Sequence, residues 1–194
     1  MPKMSNAHLE ARTSEILDAA ETCFLRKGIH PTTMHNICEE AHLSPGAVYR
    51  YFKSKEDLID AVAERRSLQE MEVINEARVQ TSQASEALAI LADRFWGQFR
   101  RDDFEHRARL DIEIWPEALR NKRQQERAKQ QRAAFRAALT DICRLAIEQG
   151  TISPDTDPVA VATMLMSLYR GLQLHKAIDP TGVDTDEVLR ALRI

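Results

Sequence analysis

Apolar residues recur along this chain at helical spacing, in segments parted by short polar stretches that hold most of its glycines and prolines. Ile16, Ala19, Ala20, Cys23 and Phe24 form one stripe of a helix expected from about Ala7 to Lys27. Arg26 and Lys27 suit its C-terminal dipole, and Gly28 is placed as a left-handed stop. From Thr32 to Lys55 the pattern shortens to two brief helices around a tight turn, then the start of a third. Ser54 and Asp57 form an Asp-type capping box ahead of Leu58, Ile59 and Val62, opening a helix that runs to about Gln80. After a polar break over Gln80–Ser85, the residues Leu88, Leu91, Ala92, Phe95, Trp96 and Phe99 mark a buried helix. Asp102 and Asp103 open the next, which carries Leu110, Ile112, Ile114 and Trp115 until Pro116 kinks or ends it. A helix over Lys122–Gln149 begins charged and turns amphipathic from Phe135, with Gly150 as its stop. Asp157-Pro158 caps a helix apolar on nearly every face, and Asp184-x-x-Glu187 opens a last short one. The fold class is all-α.

The segment from Thr32 to Lys55 has the most specific local chemistry. Thr33 and Asn36 make a weakened capping box, since Asn replaces the Glu or Gln that reaches back best. Ile37 and Cys38 face inward from that helix. His42 stands where the chain must turn, and His tolerates a left-handed backbone better than most residues. Ser44 caps the second helix, with Pro45 at its first position. Leu43, Val48 and Phe52 point inward, to pack on the stripe of the first helix in a three-helix module. Pro45, Gly46, Ala47, Tyr49, Arg50 and Tyr51 point outward, a face of small groups, aromatic hydroxyls and one guanidinium that suits a DNA major groove.

This stretch, LSPGAVYRYFKSKEDL preceded by ILDAAETCFLRKGIHPTTMHNI, resembles the DNA-binding domain of TetR-family transcriptional regulators over about Ile16–Ile59. Two positions depart from the usual pattern: His42 replaces a Gly, and Arg50-Tyr51 replaces an aromatic-His pair. The resemblance implies a helix-turn-helix domain over residues 1–55 and a helical effector-binding and dimerisation domain over 56–194. It assigns DNA contact to Thr33, Ser44, Pro45, Gly46, Ala47, Tyr49, Arg50, Tyr51 and Lys55, with Tyr49, Tyr51 and Lys55 at phosphate-binding positions. It implies a homodimer built from the last two long helices, with Leu165, Leu168, Gly171, Leu172, Leu189 and Leu192 at the interface. It also turns the aromatic set Phe95, Trp96, Phe99, Phe104 and Trp115, with Tyr169, from ordinary core into a candidate pocket for a small apolar or amphipathic effector. His106, Arg109, Glu113 and His175 are further polar groups able to orient such a ligand.

Charge changes the picture only locally. The chain carries a formal net charge of −3, and its 43% hydrophobic and 29% charged residues are ordinary for a globular protein. Over residues 1–60, seven basic side chains meet nine acidic ones, which keeps open a second reading: a ligand-binding or protein-interaction module whose helix-turn-helix does not read DNA. Arg50, Lys53 and Lys55, however, lie in an acid-free stretch, and affinity follows the phosphates touched rather than the domain sum. Cys23, Cys38 and Cys143 form no CxxC or zinc spacing and read as core fillers. His8, His30 and His35 have no partners at metal-ligand spacing, and no cofactor is expected. There is no GxSxG, HExxH or phosphate loop, which argues against an enzyme. With no signal peptide and no apolar run of spanning length, the expectation is a cytoplasmic protein that meets no membrane and associates with the nucleoid through double-stranded DNA, at a near-palindromic operator.

Overall fold

Short-range hydrogen bonds set the helix ends in the computed structural model, which describes residues 6–192. Nine α-helices occur among the described residues, and no strand. They are α1 (Asn6–Lys27), α2 (Met34–Glu40), α3 (Pro45–Tyr49), α4 (Lys55–Gln80), α5 (Ala84–Trp96), α6 (Phe104–Arg120), α7 (Lys122–Glu148), α8 (Pro158–Ile178) and α9 (Thr185–Leu192). Gly28 at φ +86° and Gly150 at φ +74° take the left-handed conformation that ends α1 and α7. Asp157 caps α8 by accepting the Val159 N–H at 2.9 Å, just before Pro158. Asp184 Oδ1 accepts the N–H groups of Asp186 and Glu187 at 2.9 and 3.0 Å, which opens α9.

Two local expectations shift. The helix expected to reach Phe99 ends at Trp96, and Gly97–Arg100 tightens into a 3₁₀ turn, the usual way a helix closes its last carbonyls. Pro116 does not end α6, which runs on to Arg120 with Trp115 and Pro116 exposed.

The chain divides into two compact units. One takes the chain through Arg66 together with Arg109–Glu117; the other takes Ser67–Ala108 and the chain from Ala118 onward. The first unit thus keeps the opening turns of α4 and a stretch of α6 for its core. Ile16, Ala20, Cys23 and Phe24 of α1 meet Ile37, Val48, Phe52, Leu58, Ile59, Val62 and Leu110 in one cluster. Burying each large apolar side chain of this kind stabilises by roughly 1.5–3 kcal/mol. A charged network lies along the same cluster. Glu21 accepts from the guanidinium groups of Arg65 and, at 2.7 Å, Arg66, while Arg66 Nε reaches Asp111 Oδ1 at 2.8 Å. Burial alone would raise the Glu21 carboxyl, but the two guanidiniums outweigh it and hold that carboxyl below its ordinary value.

The second unit has two clusters. Ile74, Ala77, Ala87, Leu91, Leu139, Ile142, Cys143 and Ala162 form one, and Trp96, Phe99, Phe104, Tyr169 and Leu172 are central to the other. The first residues of α5 are capped from far along the chain, because Gln83 supplies no side-chain cap. Gln149 Oε1 accepts the Ala84 N–H at 2.7 Å, and its amide donates to Ser82 O at 2.9 Å. All three cysteines are buried, and burial pushes each thiol up.

Candidate nucleic-acid interface

The α2–turn–α3 segment is fixed by side chains that are neighbours in sequence. Thr33 Oγ1 accepts the Asn36 N–H at 3.2 Å, and Asn36 Oδ1 accepts the Thr33 N–H at 3.1 Å, so both arms of the capping box form. At the other end of α2, the His42 N–H donates to Glu39 O at 3.1 Å and the Leu43 N–H to Cys38 O at 3.0 Å. This pair of bonds is a Schellman motif, and His42 at φ +54° holds the left-handed position that glycine normally takes. Ser44 Oγ then accepts the Ala47 N–H at 3.3 Å and starts α3 with Pro45 in its first turn.

Helical geometry sorts the side chains of α3. Val48, at 0% exposure, enters the core with Phe52, and Leu43 packs partly against it. On the other side Pro45, Gly46, Tyr49 and Arg50 are exposed, and Ala47 is half-buried. Tyr49 keeps 43% of its surface open to solvent. A Cβ built on Gly46 would meet no atom within 4 Å, so this backbone lies open to an approaching surface. Tyr51 leans on the core, whereas Thr33 and Ser44 are exposed beside the face.

Two contacts of this unit carry no signal in the local pattern, and a third departs from it by one residue. Lys55 Nζ donates to Ile29 O and His30 O, both at 3.2 Å, and so holds the α1–α2 link as well as standing at the start of α4. Lys53 Nζ donates to Tyr49 O at 2.9 Å, tying the last turn of α3 to the α3–α4 link. Asp57 Oδ2 accepts the Lys53 N–H at 3.0 Å, one residue before the partner that a capping box would use, while Ser54 Oγ accepts the Asp57 N–H at 3.2 Å. Two acids of α2 have side-chain partners: Glu40 pairs with Arg26 at 2.8 Å, and Glu39 lies 3.3 Å from His35.

The model of bacterial regulatory proteins of the tetR family matches residues 16–62, and that of the BetI-type transcriptional repressor C-terminal region matches residues 91–194, more than half of the chain. The chain belongs to the TetR family. It is a helix-turn-helix transcriptional regulator, as are the relatives it resembles. UidR of Escherichia coli K12 is 29% identical over 174 residues, covering 87% of this chain and 84% of its own. Among solved structures, Salmonella enterica GusR superposes with a TM-score of 0.70 at 26% identity, covering 89% of this chain and 85% of that one. SmeT, the repressor of the Stenotrophomonas maltophilia multidrug efflux pump SmeDEF, gives 0.67 at 26% identity over 88% and 81%, and a complex of SmeT with triclosan gives 0.69 at 24% identity over 93% and 91%.

In the second unit of this TetR-family regulator, five of the six aromatic residues singled out in the sequence come together. Tyr169 stands edge-on to Phe95, Trp96 and Phe99, with ring centroids 5.4, 5.9 and 5.6 Å away, and Phe99 meets Phe104 at 5.0 Å. Its hydroxyl accepts from Gln173 Nε2 at 3.2 Å in a buried position. Trp115 is not among them: it lies in the first unit, 44% exposed, because α6 divides between the units. Arg109 and Glu113 also lie in the first unit, where they bond to each other and Glu113 accepts from the α1–α2 link; His106 and His175 are exposed.

The dimer set divides too. Leu172 is buried among the aromatic residues of its own chain, so that position is already covered, while Leu165, Leu168 and Gly171 are half-buried. The side chains of Leu189 and Leu192 lie outside the described residues. One row of α8 holds exposed Ala160, Met164, Ser167, Leu174 and Ile178 with half-buried Gly171 among them; Met164 is 67%, Leu174 44% and Ile178 75% exposed. Among the described residues, no helix is long and apolar enough to cross a membrane, and no group of three or more His, Cys, Asp or Glu is placed to hold a metal ion.

Proposed function

We propose that the protein is a cytoplasmic repressor, not an enzyme, that binds a near-palindromic operator as a homodimer and leaves it when a small apolar or amphipathic effector occupies the second unit. The pose of α3 carries the reading: Val48 is sunk in the core while Pro45, Gly46, Tyr49 and Arg50 stand exposed on the opposite side. Arg50 is suited to a bidentate contact with a guanine edge, Tyr49 to a phosphate, and Gly46 to close approach of the backbone. Two copies place their α3 helices in successive major grooves, about 34–36 Å or a multiple apart. DNA reading falls to residues 1–55, and effector binding and dimerisation to 56–194.

The exposed row on α8 supports the dimer. Its members are spaced alternately four and three residues apart, the spacing of a helix–helix seam, and Gly171 at its centre admits a close partner. The aromatic cluster around Tyr169 supports an apolar effector, as does the likeness to SmeT, which has been solved with triclosan. Release is a population shift, so the effector must prefer the state in which the two reading helices are wrongly spaced.

Band-shift titration of the native promoter tests the proposal. Tyr49→Ala and Lys55→Ala each weaken binding across all sequences, and Lys55→Ala also flattens its salt dependence by about one contact, with the sedimentation of the dimer unchanged. Equal affinity of both variants and wild type would remove α3 and its flank from the interface.

A further inference from the structure

The link from α1 to α2 is held from two sides. On one side Glu113 Oε2 accepts the Ile29 N–H at 2.5 Å, and its Oε1 accepts the Arg109 Nε–H at 2.7 Å. On the other side the Lys55 ammonium donates to the carbonyls of Ile29 and His30. The Thr32 hydroxyl closes the link on itself by donating to Gly28 O at 2.7 Å. The amide of Ile29 is therefore met by an anion and its carbonyl by a cation. Gly28 makes the approach possible: a Cβ there would lie 2.8 Å from Arg109 Nη2 and 3.0 and 3.2 Å from the two carboxylate oxygens of Glu113. Thr33, the cap of α2, comes directly after this link, and α2 fixes α3 through the turn at His42.

We propose that Glu113 is a positioning residue for DNA reading, its bond to the Ile29 N–H setting the angle at which α2 and α3 are presented. The inference rests on α3 being the DNA-contacting helix. The Ile29 N–H is part-buried, so removing its acceptor leaves it unsatisfied, which costs more than losing a bond between exposed groups. Reach matters more than charge here. Aspartate is one methylene too short to close the contact, whereas glutamine keeps the length and an acceptor oxygen. The Arg109 side chain is 58% exposed, so its pair with Glu113 adds little.

The test uses full-length wild type, Glu113→Ala, Glu113→Asp and Glu113→Gln, with the DNA fragment that wild type selects from a random-sequence pool. Affinity is read by fluorescence anisotropy well below the melting temperature of each variant, and exchange of the Ile29 amide by NMR. In Glu113→Ala and Glu113→Asp, Kd rises about tenfold and the Ile29 amide exchanges faster by a similar factor, while Glu113→Gln stays within about twofold of wild type in both. A purely structural role would lower melting temperatures without moving the Kd of the folded protein, and that result overturns the proposal. Loss in Glu113→Gln as large as in Glu113→Asp also overturns it, since charge would then matter rather than reach. Should Glu113→Ala not fold, the aspartate and glutamine variants decide between the same outcomes. A wild type that enriches no DNA removes the operator reading and this inference together, whereas a wild type that binds alongside unchanged variants removes the inference alone.

Discussion

His42 holds a left-handed backbone with a side chain that gains nothing visible from it. Its φ is +54°, it is exposed, and its imidazole has no hydrogen-bond partner among the described residues. An L-residue in this conformation costs about 1–2 kcal/mol, a cost glycine escapes. Glycine in turn loses about 0.5–1 kcal/mol more backbone entropy on folding. The net expectation for His42→Gly is a gain of about 0.5–1 kcal/mol, or roughly 1–4 °C in melting temperature for a protein of this size. Valine moves the other way. A β-branched residue at positive φ adds roughly 1 kcal/mol or more of strain to what histidine already carries, so His42→Val melts roughly 2–4 °C below wild type. Both Schellman bonds, Leu43 N to Cys38 O and His42 N to Glu39 O, are backbone bonds that either substitution leaves possible. Thermal melts followed by far-UV circular dichroism order the three proteins. The expected order is glycine, histidine, valine, with DNA affinity of the glycine variant unchanged. A glycine variant that melts below wild type would refute the reasoning, because the turn would then draw stability from the imidazole.

Three further perturbations act on particular contacts. Glu21→Gln weakens the ties to Arg65 and Arg66 and lowers stability in urea by about 2–4 kcal/mol at pH 7. Because the folded-state carboxyl lies below its ordinary value, this stabilisation is complete above about pH 4.3 and fades as pH falls through the lower folded value, so the variant and wild type converge as the solution is acidified. Gly46→Ala leaves the melting temperature unchanged or raises it by roughly 2 °C, since its methyl meets open space in a helix; DNA affinity falls about tenfold in band shifts, because the methyl stands where the duplex backbone approaches. Met164→Glu with Leu174→Glu places carboxylates on the exposed row of α8 and raises the dimer dissociation constant about 100-fold in sedimentation experiments.

The parts of the fold that could be read from sequence are those made by near neighbours. Thr33 with Asn36, His42 at its turn, Ser44 before Pro45 and Asp157 before Pro158 each declare their hydrogen bonds within a few residues, so residue type and spacing suffice. The contacts that stayed hidden join distant stretches. Glu113 binds an amide 84 positions earlier, Gln149 caps a helix 65 positions earlier, and Arg170 reaches Glu70 at 2.6 Å across 100 positions. Trp115 shares its helical spacing with true core residues and is still exposed, because periodicity gives a face and not the neighbour that covers it. The same limit explains Leu172. On a helix apolar almost all round, only the packing of Tyr169 and its aromatic partners decides which side is already filled.

The most direct measurement of the central claim is selection of binding sites from random duplex DNA by wild-type protein and by Arg50→Ala. Wild type should enrich a near-palindrome whose half-sites lie one helical turn or a multiple apart, and Arg50→Ala should lose the preference at one symmetric base pair while the spacing persists. Enrichment of no symmetric site by wild type, or an identical base preference in both proteins, would contradict the assignment of α3 as the reading helix.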